Sequence, residues 1–285
     1  MNGYFNYKDE LYHYGVKGMK WGVRRYQPYG KGGYTPKNKQ ERVHGHYYKQ
    51  SAYSAITNAP KYDREHANSP IDPKTGLKLK TRKMTLQEDL VRTNSHYSSG
   101  GIEYSHNCVH CSIAFLLRRR GYETVAKQSD KGVSFEKYIK ALAPEGSKGM
   151  EISANASVEG LIAFCKDSDL ENGKIPPKVI SKAWDKAEKL TTTKNTKYVN
   201  SILNDFREEP NNSYGLVSVD YNRNSGHALT YNIDKNGKLS FWDPQVSDVM
   251  SGKELKEFLS STCVCAFART DDKQLNIEEC KKYVE

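Results

Sequence analysis

The feature that most constrains this chain is a change of hydrophobic period at Pro210. Upstream, apolar residues recur every three or four positions in the segments 85–91, 108–120, 134–142, 157–166, 177–190 and 196–207. Each has Ser, Thr, Pro or Asn near its start, so each reads as a helix. Downstream the period becomes two. Leu216, Val217 and Val219 form one strand candidate, 226–233 a second and 238–242 a third, the last two joined by the turn sequence Asp234-Lys-Asn-Gly237. Ser251-Gly-Lys-Glu254 has the form of a capping box opening a short helix, and 262–269 alternates again as a fourth strand. Helices first and an antiparallel sheet after them define an α+β layout.

Within the helical half, the stretch 106–121 carries the chemistry. Asn107 is an N-cap candidate, Val109, Ile113, Leu116 and Leu117 share a helical face, and Gly121 stands at the C′ position. Arg118, Arg119 and Arg120 suit the negative end of the helix dipole and read as a solvated helix end rather than a phosphate site. If Cys108 is the first helical residue, its sulfur sits near unpaired backbone amides, which favour the thiolate.

A cysteine in a helix is usually an inert core residue, so a nucleophile reading needs a base and a group that orients the base. His227 follows Gly226 at the start of one strand, and Asp243 stands just after the facing one. A hairpin loop of three or five residues is expected to set them directly opposite, with Cβ atoms about 5 Å apart. An even loop turns Asp243 to the other face unless a bulge corrects it. Zinc is the chemical rival, through His106, Cys108, His110, Cys111, Cys263 and Cys265. It is disfavoured because Cys108 and Cys111 share a helix and the Cys263-x-Cys265 pair lacks a knuckle glycine. Cys111 reads as core, and Cys165, Cys263, Cys265 and Cys280 as structural or tail thiols.

Charge divides the chain. Residues 1–50 hold ten Lys/Arg against three Asp/Glu and so carry +7 of the net +10. Such an arm could contact nucleic acid weakly, although a solvated tail is the plainer reading. Hydrophobic content of 36% lies below the usual 45–50%, so part of the chain is expected outside any packed core. The layout that follows is an arm over 1–26, a Pro/Gly/Lys-rich linker or strap over 27–83 with a short helix near 40–57, a domain over 84–270, and a charged tail over 271–285. The N-terminus has no apolar signal segment, no run reaches the length of a membrane span, and six cysteines fit free thiols in a reducing compartment. Synthesis in a cytoplasm is therefore expected, without a signal peptide and without a membrane partner.

Two resemblances add to this reading. Residues 11–26, L-Y-H-Y-G-V-K-G-M-K-W-G-V-R-R-Y, resemble an H-x-G-V-K-G-M-K-W-G-x-R-R motif of head-region and other proteins of tailed phages that infect Gram-positive bacteria. The ordered set N-C-V-H-C-S-I-A-F-L-L-R-R-R-G-Y, G-H-A-L-T-Y-N-I and G-K-L-S-F-W-D-P-Q resembles the papain-fold toxin domains of Tox-PL type, related to bacterial glutamine deamidases. That resemblance implies a papain-like fold, with the nucleophile helix packed on a C-terminal antiparallel sheet and a basic flexible arm in front. It makes Cys108 the nucleophile, His227 the base and Asp243 the orienting acid. Gln245 is given a supporting role, and Asn107 is the residue before the nucleophile, where its own or the Cys108 backbone amide helps stabilise an oxyanion.

The implied activity is hydrolysis of an amide in a protein substrate without cofactor or metal. Deamidation of a glutamine side chain by a toxin or effector of a phage or prophage comes first. A cysteine protease of the same fold, and a non-enzymatic phage structural or packaging-associated protein, are the alternatives. The phage-type motif further implies a structural partner for residues 11–26, and a product that is virion-associated or delivered into a target cell.

Overall fold

A computed structural model describes residues 50–97, 104, 106–129, 196–222, 225–262, 264–272 and 274–285, with three short strand segments besides. Those segments are β1 (Arg42–Val43) and β2 (His46–Tyr47), which pair with each other, and β3 (Ser153–Asn155). The remaining elements are α1 (Gln50–Ala67), α2 (Leu86–Thr93), α3 (Cys108–Arg119), α4 (Thr196–Glu208), β4 (Tyr214–Asn222), β5 (Ser225–Ile233), β6 (Leu239–Asp243), β7 (Asp248–Ser251), α5 (Gly252–Leu259), β8 (Val264–Arg269) and α6 (Ile277–Cys280). The expected helices at 134–142, 157–166 and 177–190 and the arm at 1–26 lie outside the described residues. Among the described residues no helix is long and apolar enough to cross a membrane.

The sheet is antiparallel throughout, in the order β3-β8-β4-β5-β6-β7. Helices cover both of its faces. Alternate residues on β4 and β5 serve different cores. Leu216 and Ala228 pack with Val109, Ile113, Leu116 and Leu117 of α3. Val217, Val219, Leu229 and Tyr231 pack with Ile202 and Phe206 of α4 and Leu255 and Phe258 of α5. Phe206 anchors the second core, its ring stacked on Phe267 at 3.9 Å and edge-on to Tyr231 and Phe241. On the first face Phe115 of α3 stacks on Trp242 of β6 at 5.9 Å, which fixes the helix against the strand that ends at Asp243. The β5–β6 loop is the expected turn: Asp234 Oδ1 accepts from the Asn236 and Lys238 amides, and Gly237 takes a φ of +75°.

Several expectations change. β7 and β3 were not legible, being short strands with little alternation. The helix expected near 40–57 is α1, running to Ala67, and the chain after it lies on the domain as a strap. Leu77 is buried in the first core, and Leu79 bridges Tyr122. Residues 271–285, read from their charge as a tail, are packed. Leu275, Cys280, Tyr283 and Val284 are buried in the first core, and Val284 bridges Ala126. The charges there alternate with an apolar set that the helix α6 and the turn after it turn inward.

The three arginines are not a solvated helix end. Arg118 is fully buried, bonded to Asp89, to both oxygens of Glu123 and to the Thr124 carbonyl. Glu123 also binds Arg92. Burial alone would raise the Glu123 carboxyl, but the two guanidiniums hold it below its ordinary range. Arg119 lies over the Tyr214 ring at 3.6 Å and donates to Asn232 Oδ1, while Arg120 donates to the Thr270 carbonyl. The last turn of α3 is thus bolted into α2, the 123–124 loop and the sheet. The helix then stops as expected, with Gly121 at φ +99° and the Gly121 and Tyr122 amides returning to the Arg118 and Leu117 carbonyls.

Candidate active site

Cys108 is the first residue of α3, and the opposite end of that helix is fixed by the arginines just described. Asn107 occupies the N-cap position but makes no side-chain cap bond, a departure from the sequence expectation. Its carboxamide is used sideways instead. Nδ2 donates to the Lys127 carbonyl at 3.1 Å and to Asn94 Oδ1 at 3.2 Å. Oδ1 accepts from the Cys111 thiol at 3.3 Å and from Gln245 Nε2 at 3.4 Å. The first-turn amides beside Cys108 therefore carry no cap from Asn107, and these are the donors a helix start presents to an anion.

His227 stands on β5 and Asp243 at the end of β6, both buried. The hairpin loop has five residues between Ile233 and Leu239, one of the lengths the sequence left open, yet the register differs from the sequence reading. The ladder pairs Thr230 with Trp242. Continued, it sets Asp243 opposite Leu229, with His227 two residues further along. Because a shift of two preserves the face of a strand, the side chains still meet. His227 Nε2 lies 2.7 Å from Asp243 Oδ2. The Cys108 side chain is a further partner of His227 and helps to hold its charge. Pro244 ends the strand, and the chain turns so that Gln245 N donates to Asp243 Oδ1 at 3.0 Å. Both carboxylate oxygens are thereby held.

The electrostatics separate two neighbouring thiols. Burial works against a charge on His227, but the Asp243 carboxylate, its hydrogen bond and Cys108 outweigh it and push the imidazole up to about 10. An imidazolium beside Cys108 is the partner that a thiolate requires. Cys111, one turn on, is wholly buried, and burial together with the Cys108 and Asp243 charges pushes its thiol well up. It stays protonated and donates to Asn107, which makes it a core residue as expected. Tyr221, at the β-bulge that ends β4, is a further neighbour. Burial and the Asp243 and Cys108 charges raise its phenol, so it flanks the site as a neutral group.

Of the sequence-predicted residues, Cys108, His227, Asp243, Gln245 and Asn107 are all brought into one buried cluster. Of the residues in the zinc alternative, Cys263 lies outside the described residues and His110 Nδ1 donates to the Lys127 carbonyl at 2.9 Å; among the described residues no three His, Cys, Asp or Glu side chains gather as metal ligands. Cys280, read as a structural or tail thiol, is buried, and burial first of all pushes it up to about 12. Asn94 was missed. Its buried carboxamide donates to the Gln245 and Tyr104 carbonyls at 3.0 Å each and accepts from Asn107. The only signal was its place at the end of α2 in a polar stretch, which marks a helix stop rather than a site.

A helix-borne cysteine, a strand histidine and an acid at the end of the facing strand thus stand together in an α+β fold with the helix on an antiparallel sheet, and the domain is similar to papain-like thiol hydrolases. Residues 106–247 match the family model described as papain fold toxin 1, glutamine deamidase. Residues 6–28 match a second model, described as a family of unknown function. No curated protein matches the sequence significantly.

Proposed function

We propose that Cys108, His227 and Asp243 are the catalytic residues of this domain and that its reaction is deamidation of a glutamine side chain in a protein. The observation that carries the proposal is the chain of bonds from Cys108 to His227 and on to Asp243, built at a helix start. The Cys108 thiolate attacks the carboxamide carbon, and a C–S bond forms as the carbonyl becomes an oxyanion near the first-turn amides. Collapse breaks the C–N bond, and the His227 imidazolium gives its proton to the nitrogen, which leaves as ammonia. Water then attacks the thioester while His227 takes a proton from it, giving glutamate and the free thiol. Asp243 keeps the ring oriented and its positive charge stabilised.

The match to a glutamine-deamidase toxin model over 106–247 favours the side-chain amide over the peptide bond. We take the core of the domain as residues 84–270, with the C-terminal segment packed on it. The wider reading is a toxin or effector encoded by a phage or prophage, in which the separately matched N-terminal segment docks the protein to a virion component. The test is expression of the whole chain and of Cys108→Ala in host cells, followed by a proteome-wide search for glutamine-to-glutamate conversion. Growth arrest with Cys108-dependent conversion is expected. Cys108-dependent cleavage of peptide bonds without conversion would overturn the deamidase reading.

A further inference from the structure

The bonds around the site close into a ring, and one residue outside the expected constellation completes it. Asn107 precedes Cys108 in the chain and receives Asn94 Oδ1 as the acceptor for its Nδ2 at 3.2 Å. Asn94 Nδ2 donates to the Gln245 carbonyl at 3.0 Å, with a longer approach to Asn107 Oδ1 at 3.4 Å. Gln245 N donates to Asp243 Oδ1, Asp243 Oδ2 meets His227, and His227 meets Cys108. Half of this ring is the proposed chemistry, and the other half is held by the Asn94 carboxamide, with a longer direct bond from Gln245 Nε2 to Asn107 Oδ1 at 3.4 Å beside it. Asn94 is 2% exposed and belongs to a different helix from Cys108.

We infer that Asn94 is a positioning residue for the Cys108–His227 pair. It fixes how far the start of α3 stands from the turn that carries Asp243. Three features support this over a purely structural role. Its bonds run to the Asn107 side chain, to Gln245 and to the Tyr104 carbonyl, so two of the three lead to residues adjoining the reacting groups. The contacts join segments far apart in sequence that share no strand pairing with α2. The Asn107 carboxamide, freed from capping, is turned toward Asn94. A side chain of the same size without amide hydrogens cannot make the bond to Gln245, whose carbonyl is an acceptor. Because a displacement of an ångström can cost about a hundredfold in rate, the link is expected to matter for reactivity more than for folding.

The inference rests on the proposed nucleophile, so its test separates the two. The rate of Cys108 alkylation by iodoacetamide is measured from acid to alkaline pH, by peptide mass spectrometry, in the full chain and in Asn94→Ala, Asn94→Asp and Tyr198→Phe. Tyr198 supplies a buried hydroxyl bond to Thr262 in the second core and controls for general destabilisation. The wild type is expected to react faster at pH 6 than a thiol of the unfolded chain. Both Asn94 variants should lose about tenfold or more at pH 6, whereas Tyr198→Phe should keep the wild-type rate. Asn94→Asp keeps the side-chain volume and carries the test should the alanine variant not fold. If wild-type Cys108 reacts no faster than a thiol of the unfolded chain, the nucleophile reading falls and this one with it. A reactive wild type with Asn94 variants that superimpose on it overturns the Asn94 role alone, as would failure of both variants to fold.

Discussion

Replacing Asp243 by Asn removes one charge and leaves the shape of the site in place. The amide can still accept from Gln245 N and still face His227, so the geometry that holds the ring survives. What disappears is the carboxylate that, against the effect of burial, keeps the imidazole protonated up to about 10. Without it burial, which lowers a histidine, is opposed only by Cys108, so the variant's imidazole falls toward the ordinary ~6.5. At pH 7.5 a group with that pKa is about one-tenth protonated, and at pH 8.5 about one-hundredth, whereas the wild-type imidazole is nearly fully charged at both. Rate should therefore fall about tenfold at the first pH and about a hundredfold at the second, with the descending limb of the pH profile moving from near 10 to near neutrality. The limbs belong to the thiol–imidazole pair as a unit, and it is their displacement that carries the meaning. Ammonia release from a glutaminyl peptide, which needs the imidazolium proton for the leaving nitrogen, reads it. A variant whose descending limb stays near 10 would refute the assignment of Asp243 as the residue that sets the charge state of His227.

Three further outcomes follow from other parts of the molecule. Since His227 is raised on folding, the stability from its pairing with Asp243 is complete below ~6.5 and is lost as pH rises through about 10. The urea midpoint should decline across that window in the wild type and stay flatter in Asp243→Asn, and equal slopes would contradict the pairing. Arg118→Met leaves Glu123 and Asp89 short of a buried partner and should cost about 3–5 kcal/mol in urea unfolding. A neutral result would mean that the ionic cluster is dispensable. Gly121→Ala meets no atom within 4 Å, so its cost comes from the φ of +99° alone, about 1–2 kcal/mol, and an unchanged midpoint would refute the C′ role.

What was legible in the sequence had strong local causes. Thr85 caps α2 as expected, its hydroxyl accepting from the Glu88 amide, and the β5–β6 turn follows from Asp234 and Gly237. The nucleophile helix was fixed by the spacing of Val109, Ile113, Leu116 and Leu117 and by Gly121. His227 and Asp243 were legible as candidates, while the parity of the hairpin loop and the two-residue offset were not, because the strand sequences do not say where the ladder begins. The parts that escaped depend on tertiary partners. Arg118 looks like any helix-end charge until Glu123 and Asp89 are brought to it. Cys280, Tyr283 and Val284 sit among charges that hide their inward face. Asn94 and the uncapped Asn107 acquire their roles only when three separate segments meet.

The central claim is that Cys108 is a nucleophile held ready by His227. Brief exposure of the folded chain to iodoacetamide at pH 6, with every cysteine site quantified and the urea-unfolded chain as reference, tests it most directly. Cys108 should be modified faster than in the unfolded chain, while the buried thiols Cys111, Cys265 and Cys280 stay unmodified, and His227→Ala should abolish the difference. Modification of Cys108 no faster than in the unfolded chain, or at the same rate in His227→Ala, would contradict the account.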